Sequence, residues 1–212
     1  MISPEPEQKE VDTTATSSVR HIVPMPQTMT SMVREVAGLR DQVEATNAKV
    51  TELDRQINAS DLDRRTHFKV REGVIPILEQ LATERGMSWS VIALTLGVSV
   101  QAVRKWRKGA PATGENRMAL AKLAAFVDLL GELRIDDPVS WLEVPLVPGY
   151  ALRGLDLYAA GKIELLLEWA GMRIDSAEHL LDSVDPDWRT KHRLAYETFE
   201  APDGNLSIRR RP

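Results

Sequence analysis

The sequence predicts an all-α protein, because apolar residues recur at helical spacing through most of the chain. A heptad pattern covers residues 28–60, and broader apolar faces follow in residues 68–133 and 136–184. Only the tail, residues 185–212, contains a strand and turn pattern, which predicts a terminal β-hairpin. The expected organisation is therefore a leader, an N-terminal coiled coil, a central helical domain, a C-terminal helical region and the tail.

The overall composition indicates a cytoplasmic protein. The 212 residues suffice for one ordinary domain with extensions or for two small domains. The absence of cysteine excludes disulfides and thiolate sites and is compatible with a reducing compartment. No apolar run approaches the length of a membrane span, and the N-terminal residues are acidic where a signal peptide would be basic. Residues 1–27 are rich in proline and poor in aliphatic side chains, so we expect a disordered leader.

Residues 28–60 carry a heptad repeat in a single register. Its a and d positions are apolar except at one threonine, and they are Met29, Met32, Val36, Leu39, Val43, Thr46, Val50, Leu53 and Ile57. The a residues after the first are β-branched and leucine recurs at d, a combination that favours a parallel two-stranded coil. We therefore expect a homodimer that is held together by this segment.

The residues beside the repeat agree with a parallel dimer. Glu35 at g faces Arg40 at e of the partner helix, and Lys49 at g faces Asp54 at e, so both pairs are attractive. The alternative is an amphipathic helix that folds back on its own domain, which requires only one apolar face. A strict 3.5-residue repeat with matched charges favours the dimeric coil.

The segment that leads into the central domain leaves two questions open. Residues 61–67 are polar and charged, and they form either a hinge or a continued helix. An apolar face in residues 68–85 predicts the first helix of the domain, but Pro76 lies inside this pattern. Because proline either kinks a helix or occupies its first turn, this helix could begin as late as Gly73.

Residues 87–109 predict two short helices joined by a tight turn. Helically spaced apolar residues precede Gly97, which permits the left-handed conformation that ends a helix. Ser99 is a suitable N-cap for the next helix. In that second helix an apolar face that includes Val103 and Trp106 leaves a polar and basic face free.

This spacing resembles the Xre and phage-repressor class of helix-turn-helix proteins. The small residue Ala93, the turn glycine Gly97, the apolar anchor Val103 and the terminating Gly109 stand at the offsets of that class. The resemblance covers residues 87–109, and it implies a central helix-turn-helix domain that binds double-stranded DNA.

The local charge agrees with this implication. The net charge of −4 argues against indiscriminate coating of nucleic acid, yet residues 100–122 contain six Lys or Arg against the single Glu115. A recognition helix enters the major groove by its N-terminal half. The residues expected to face the base edges are Val100, Gln101, Arg104 and Lys105. The residues expected to contact the DNA backbone are Ser88, Ser90, Arg107 and Lys108.

A second resemblance concerns residues 136–171, which follow a strongly apolar helix predicted for residues 117–133. The matching residues are Trp141, Leu142, Pro145, Gly154, Leu155, Asp156, Leu157, Gly161 and Leu165 to Leu167. They resemble the toxin-binding domain of Xre/MbcA/ParS-type antitoxins, which implies a helical domain with a toxin-like protein partner. The chain departs from that family in having Arg153-Gly154 in place of Thr-Pro, and in its long continuation after Gly171.

The apolar content of this region predicts a partner surface. Leu165, Leu166 and Leu167 are consecutive, so on a helix they span about 200 degrees and cannot all face one modest core. Trp169 adds to the apolar excess, and Trp141 lies nearby in the resembling family. We therefore expect Trp141, Leu166 and Trp169 to bind a partner. The covering element could be a toxin, the other protomer or the C-terminal hairpin.

The tail predicts a short helix and then the hairpin. The helix covers residues 175–184 and is closed by Asp185-Pro186. The strands, residues 196–200 and 206–210, flank the turn signal Pro-Asp-Gly-Asn. The last three arginines, Arg209 to Arg211, could touch phosphate or remain solvated.

No residue pattern predicts an enzyme. The histidines are scattered without the spacing of a metal site, and they are His21, His67, His179 and His192. The glycines at 109 and 114 have the spacing of a phosphate loop but lack its Lys and Ser/Thr. Paired acidic residues lack a nucleophile or other catalytic partner. No catalytic residue, metal or cofactor is therefore expected.

Three functions remain open at this point. The first is sequence-specific binding to duplex DNA as a homodimer, with repression of its own or a neighbouring operon. The second is an antitoxin-like interaction protein that holds and neutralises a toxin and regulates its own operon. The third is a DNA-binding protein of plasmid or phage segregation, which would spread over many sites.

Overall fold

A computed structural model describes residues 29–202 and 204–211, with side chains from residue 31 onward. This part of the chain is mostly helical and ends in a two-stranded antiparallel sheet, as the sequence predicts. The predicted leader, residues 1–27, lies outside the described residues. None of the described helices is both long enough and apolar enough to cross a membrane. The chain divides into two units, residues 1–44 and 45–212, and each is described by itself.

In the first unit, the described residues form the beginning of helix α1, Met29–Glu72. Every side chain of residues 31–44 is exposed. The apolar a and d side chains of this part are between 54% and 60% exposed, and they are Met32, Val36, Leu39 and Val43. Their apolar surface is therefore open to solvent in the single chain.

In the second unit, α1 presents two different faces. The a and d residues Val50, Leu53 and Ile57 remain exposed. A second stripe packs on the rest of the unit, with Leu62 and Lys69 buried at a spacing of seven residues. Residues 61–67 thus continue the helix and do not form a hinge. The heptad residues of this unit are therefore not the ones that pack on the domain, and the dimeric coil stays a prediction.

The first helix of the central domain begins after Gly73, whose φ of 93° interrupts the chain between α1 and α2. Helix α2, Val74–Glu79, holds Pro76 in its first turn and continues into a π-helical turn, Gln80–Glu84. Of the two possibilities for Pro76, the first-turn position is therefore the one observed. Ile77, Leu78 and Leu81 of this segment are buried.

Three helices follow and build the centre of the unit. They are α3, Trp89–Thr95, α4, Val100–Arg107, and α5, Gly114–Glu132. Helix α5 begins before the predicted residue 117, because the Thr113 hydroxyl accepts the Asn116 amide at 3.2 Å and caps it. Almost every residue from Leu120 to Leu130 is buried, so α5 forms the middle of the core.

The C-terminal helices share this core. They are α6, Pro138–Glu143, α7, Gly154–Ala159, α8, Ile163–Ala170, α9, Ala177–Val184, and α10, Trp188–Lys191. One continuous hydrophobic cluster joins them to α5. The ring of Tyr158 lies 5.0 Å from that of Phe126, and burial there raises the pKa of the Tyr158 phenol. Residues 68–133 and 136–184 are thus packed as one body.

The chain ends in a β-hairpin with the predicted strands. Strand β1, Tyr196–Glu200, pairs with β2, Leu206–Arg210, so that Thr198 lies opposite Ile208. The preceding helix α10 was not predicted, and it buries Trp188 against the ring of Tyr150 at 4.6 Å.

Candidate nucleic-acid interface

Helices α3 and α4 each begin at a serine that caps the helix. The Ser88 hydroxyl accepts the Val91 amide at 3.2 Å, and the Ser99 hydroxyl accepts the Ala102 amide at 3.2 Å. The Ser88 hydroxyl thus satisfies an amide of the first turn, and the Ser99 hydroxyl gives the Ala102 amide a second acceptor beside the Ser99 carbonyl at 2.9 Å. The N-cap predicted at Ser99 is therefore confirmed.

The turn between the two helices depends on Gly97, which has a φ of 66°. Its amide donates to the Leu94 carbonyl at 3.1 Å, and the Val98 amide donates to the Ala93 carbonyl at 2.9 Å. These two hydrogen bonds form a Schellman motif, which requires a left-handed residue where a side chain would be strained. The predicted role of Gly97 is confirmed, and the turn fixes α4 beside α3.

The two helices turn one face to the core and another to solvent. Ile92, Ala93, Val103 and Trp106 are buried at their contact with the domain. The polar residues predicted for DNA contact are all exposed on α4 and at its end, and they are Gln101, Arg104, Lys105, Arg107 and Lys108. Val100, the first residue of α4, is half-buried. The structure thus brings the α4 residues together on one face.

An open cleft of about 700 Å³ lies against this face. It is lined by Trp89, Gln101, Arg104, Lys105, Arg107 and Lys108. The lining contains four cations and no carboxylate, so its charge favours an anionic ligand. Four cations on one cleft fit a ligand that carries several negative charges better than one that carries a single charge.

The cations of the cleft have no acidic partners within the described part of the chain. No carboxylate there lies within 4.0 Å of Arg104, Lys105, Arg107 or Lys108. In contrast, Arg85 lies 3.0 Å from Asp128, away from this face. The donors of the cleft are therefore available to a ligand.

Ser88 and Ser90 lie at the start of α3, and both are exposed. Their hydroxyl oxygens are 2.9 Å apart, and that of Ser88 also accepts the capping hydrogen bond. The lining of the cleft includes Trp89, between these two residues, but neither serine.

Trp89 is the residue of this surface that the sequence did not identify. Its ring packs against the core, and the guanidinium carbon of Arg107 lies 5.1 Å from the ring centroid. The sequence signal that could have identified Trp89 is an aromatic residue directly after the capping Ser88. From this position a side chain can reach the end of α4. The cleft thus contains one aromatic side chain beside its four cations.

A polar network supports the helices behind the interface. Lys69 of α1 is buried and lies 2.8 Å from both Asp128 of α5 and the Gln80 side-chain oxygen. The Gln80 amide donates to Asp128 at 3.1 Å. Farther along α5, Arg65 donates two hydrogen bonds to the Glu132 carboxylate, at 2.8 and 2.7 Å. These contacts join α1, the π-helical turn and α5 into a fixed scaffold.

The predicted partner surface is only partly exposed. The ring centroids of Trp141 and Trp169 lie 4.7 Å apart with the planes tilted by 30°, and both residues are half-buried. Leu166, however, is fully buried, and Leu167 is 2% exposed. The expectation that Leu166 binds a partner is therefore corrected, because this residue lies in the hydrophobic core of its own chain, where α8 contacts α7 and α9.

Metal binding has no evident site in the described residues, where no group of three His, Asp or Glu side chains is arranged to hold an ion. Comparison of the chain with protein-family models, with curated proteins and with solved structures gives no match.

Proposed function

We propose that the protein is a sequence-specific, duplex-DNA-binding homodimer that regulates transcription, most simply as a repressor. The observation that carries this proposal is the cationic cleft along α4, whose four cations face solvent without an acidic partner among the described residues. In the proposed complex α3 and α4 act as a helix-turn-helix, and α4 enters the major groove.

The base contacts follow from the chemistry of the exposed face. Gln101 can pair with adenine by two hydrogen bonds, and Arg104 or Lys105 can pair with guanine. The methyl groups of Val100 can meet the thymine methyl, since part of this side chain remains accessible. Arg107 and Lys108 at the end of α4 contact phosphates, which add affinity without sequence information.

The homodimer is supported by the exposed heptad face of α1. Apolar a and d side chains from Met32 to Ile57 are between 42% and 60% exposed, and a second α1 can cover them. Glu35 and Arg40 are both exposed and available for an interhelical pair. Asp54 forms an ion pair with Arg173 of its own chain, so its predicted attraction to Lys49 of the partner competes with that contact.

The decisive experiment is selection of bound fragments from random duplex DNA by the purified protein. We expect one enriched motif with two half-sites, because a two-fold symmetric dimer binds a palindromic operator. Enrichment without a motif, together with protection that spreads beyond the bound site, would instead favour the segregation function. No enrichment at all would refute DNA binding.

Two single variants then test the assignment of α4. Gln101→Ala should weaken binding to the selected site by about 1–3 kcal/mol and relax one base position. Lys108→Ala should weaken the selected site and an unrelated duplex equally, because it contacts only phosphate. If both variants lowered specific and nonspecific affinity by the same factor, α4 would not be the helix that contacts the bases.

A second candidate function is an antitoxin-like protein that holds a toxin-like partner. The specific observation in its favour is the half-buried Trp141–Trp169 pair, since tryptophan is enriched at interaction hot spots. Co-expression with the product of the adjacent gene tests this function. We expect a stable complex that Trp141→Ala with Trp169→Ala abolishes while DNA binding remains. A large fall in melting temperature of this variant would assign both rings to the core.

A further inference from the structure

Trp89 and Arg107 form a cation–π contact, which a surface that only attracts anions by its charge does not require. Trp89 is the first residue of α3, is half-buried and packs against the hydrophobic core. Arg107 is exposed at the last residue of α4, and its guanidinium carbon lies 5.1 Å from the centroid of the Trp89 ring. The core thus fixes an aromatic surface on which this cation rests.

A guanidinium group on an aromatic ring keeps its hydrogen-bond donors available at its edge. Within the described part of the chain, no carboxylate lies within 4.0 Å of Arg107 to occupy these donors. A long surface side chain normally loses rotamer freedom when it binds, and a ring contact made in advance reduces this cost. Arg107 is therefore prepared for an anionic acceptor before any ligand arrives.

The surroundings of Arg107 indicate the class of this acceptor. The Trp89 ring lines the same cleft as Arg104, Lys105 and Lys108, so several cations share one open space of about 700 Å³. A single small anion would leave most of these cations without a partner. A chain of phosphodiesters that runs along the cleft would meet them in succession.

We propose that Trp89 is a positioning residue that holds Arg107 as a phosphate-binding group for the backbone of duplex DNA. This inference rests on the proposed function and identifies the part of the DNA that this end of the cleft binds. Trp89 acts through Arg107, and Arg107 donates the hydrogen bonds to the phosphate.

The test measures the affinity of the full chain for its selected duplex and for an unrelated duplex over a series of salt concentrations. Trp89→Ala should lower both affinities by the same factor, about threefold to thirtyfold. It should also reduce the slope of log affinity against log salt by up to about 0.9, the contribution of one phosphate contact. Trp89→Phe is the matched control, and it should retain the slope because phenylalanine also offers a ring face.

A double-variant cycle with Arg107→Ala separates positioning from a general loss of structure. We expect the Trp89→Ala effect to vanish in the Arg107→Ala background, because the ring then has no cation to position. Two results would overturn the positioning role of Trp89 even if the wild-type chain binds duplex DNA. One is additive effects of the two changes, and the other is an unchanged slope of log affinity against log salt in Trp89→Ala. If the wild-type chain binds no duplex, the proposed function itself fails, and this assignment fails with it.

Discussion

Leu39→Ala provides a direct test of the dimer proposed for α1. Leu39 occupies a d position of the heptad and is 56% exposed in the single chain. In a coiled-coil dimer the second α1 helix would cover this exposed part, whereas in a monomer it would remain in contact with water. The substitution leaves the ion pairs of α1 with the domain intact, because they involve Asp54 and Arg55 and not Leu39.

The expected magnitude follows from the area that remains to be buried. Complete burial of a leucine side chain contributes about 1.5–3 kcal/mol, so roughly half of this is available at Leu39 in each protomer. Because the residue occurs twice in a dimer, its loss should cost about 1.5–3 kcal/mol of dimerisation free energy. The dissociation constant should then rise by about 10-fold to 150-fold.

Sedimentation equilibrium of the full chain without DNA measures this constant. Leu94→Ala is the matched control, because Leu94 is 62% exposed on α3, outside the heptad. It removes the same side chain from the surface and should leave the dissociation constant unchanged. The dimer proposal would be refuted by a wild-type monomer at all accessible concentrations, or by equal effects of the two variants.

Three further predictions concern stability. Leu166→Ala should cost about 2–5 kcal/mol in urea unfolding, because it opens a cavity at a fully buried position, and a near-neutral result would contradict the packing of α8. Asp128→Ala should cost about 2–4 kcal/mol, because buried Lys69 loses its nearest carboxylate and keeps only the Gln80 oxygen at 2.8 Å and Glu72 at 3.9 Å. Adding Lys69→Met should recover part of this loss, and no recovery would contradict the role given to the ion pair. Burial alone would raise the pKa of Asp61, but hydrogen bonds from Arg64 and Arg65 outweigh it and lower the pKa. The resulting stability is present above the aspartate pKa of the unfolded chain and is lost as pH falls through the lower folded value, so Asp61→Asn should flatten the acid side of the stability curve.

The features that the sequence predicted well depend on local chemistry. Gly97 and Ser99 could be assigned because a left-handed turn and an N-cap each involve residues a few positions apart. The hairpin strands were placed correctly for the same reason, since turn residues separate two short segments in which apolar and polar residues are mixed. Caps, turns and hairpins of this kind can be predicted from a few neighbouring residues without knowledge of the tertiary fold.

The errors concern properties that only the packed chain determines. Three consecutive leucines predict a partly exposed helix because they span about 200 degrees of its surface. In the structure α8 contacts both α7 and α9, and Leu166 and Leu167 are buried in the core. Trp89 was missed because its cation contact joins residues 18 positions apart on different helices. Neither contact leaves a periodic pattern in the sequence.

Helix α1 has one face that the sequence pattern predicts and another that only the packed chain reveals. The second face limits which variants can test the dimer. Its heptad face was visible because apolar residues repeat, but the stripe of Arg55, Leu62 and Lys69 mixes charge with apolar surface and depends on partners far along the chain. Arg55 donates to Glu168 at 2.7 Å, and Glu168 is only 6% exposed. Deletion of residues 1–60 would therefore remove the heptads and also leave a buried carboxylate unpaired, which is costly. A monomer obtained in this way could result from a destabilised domain, so substitution within residues 31–44 is the sounder test of the coil.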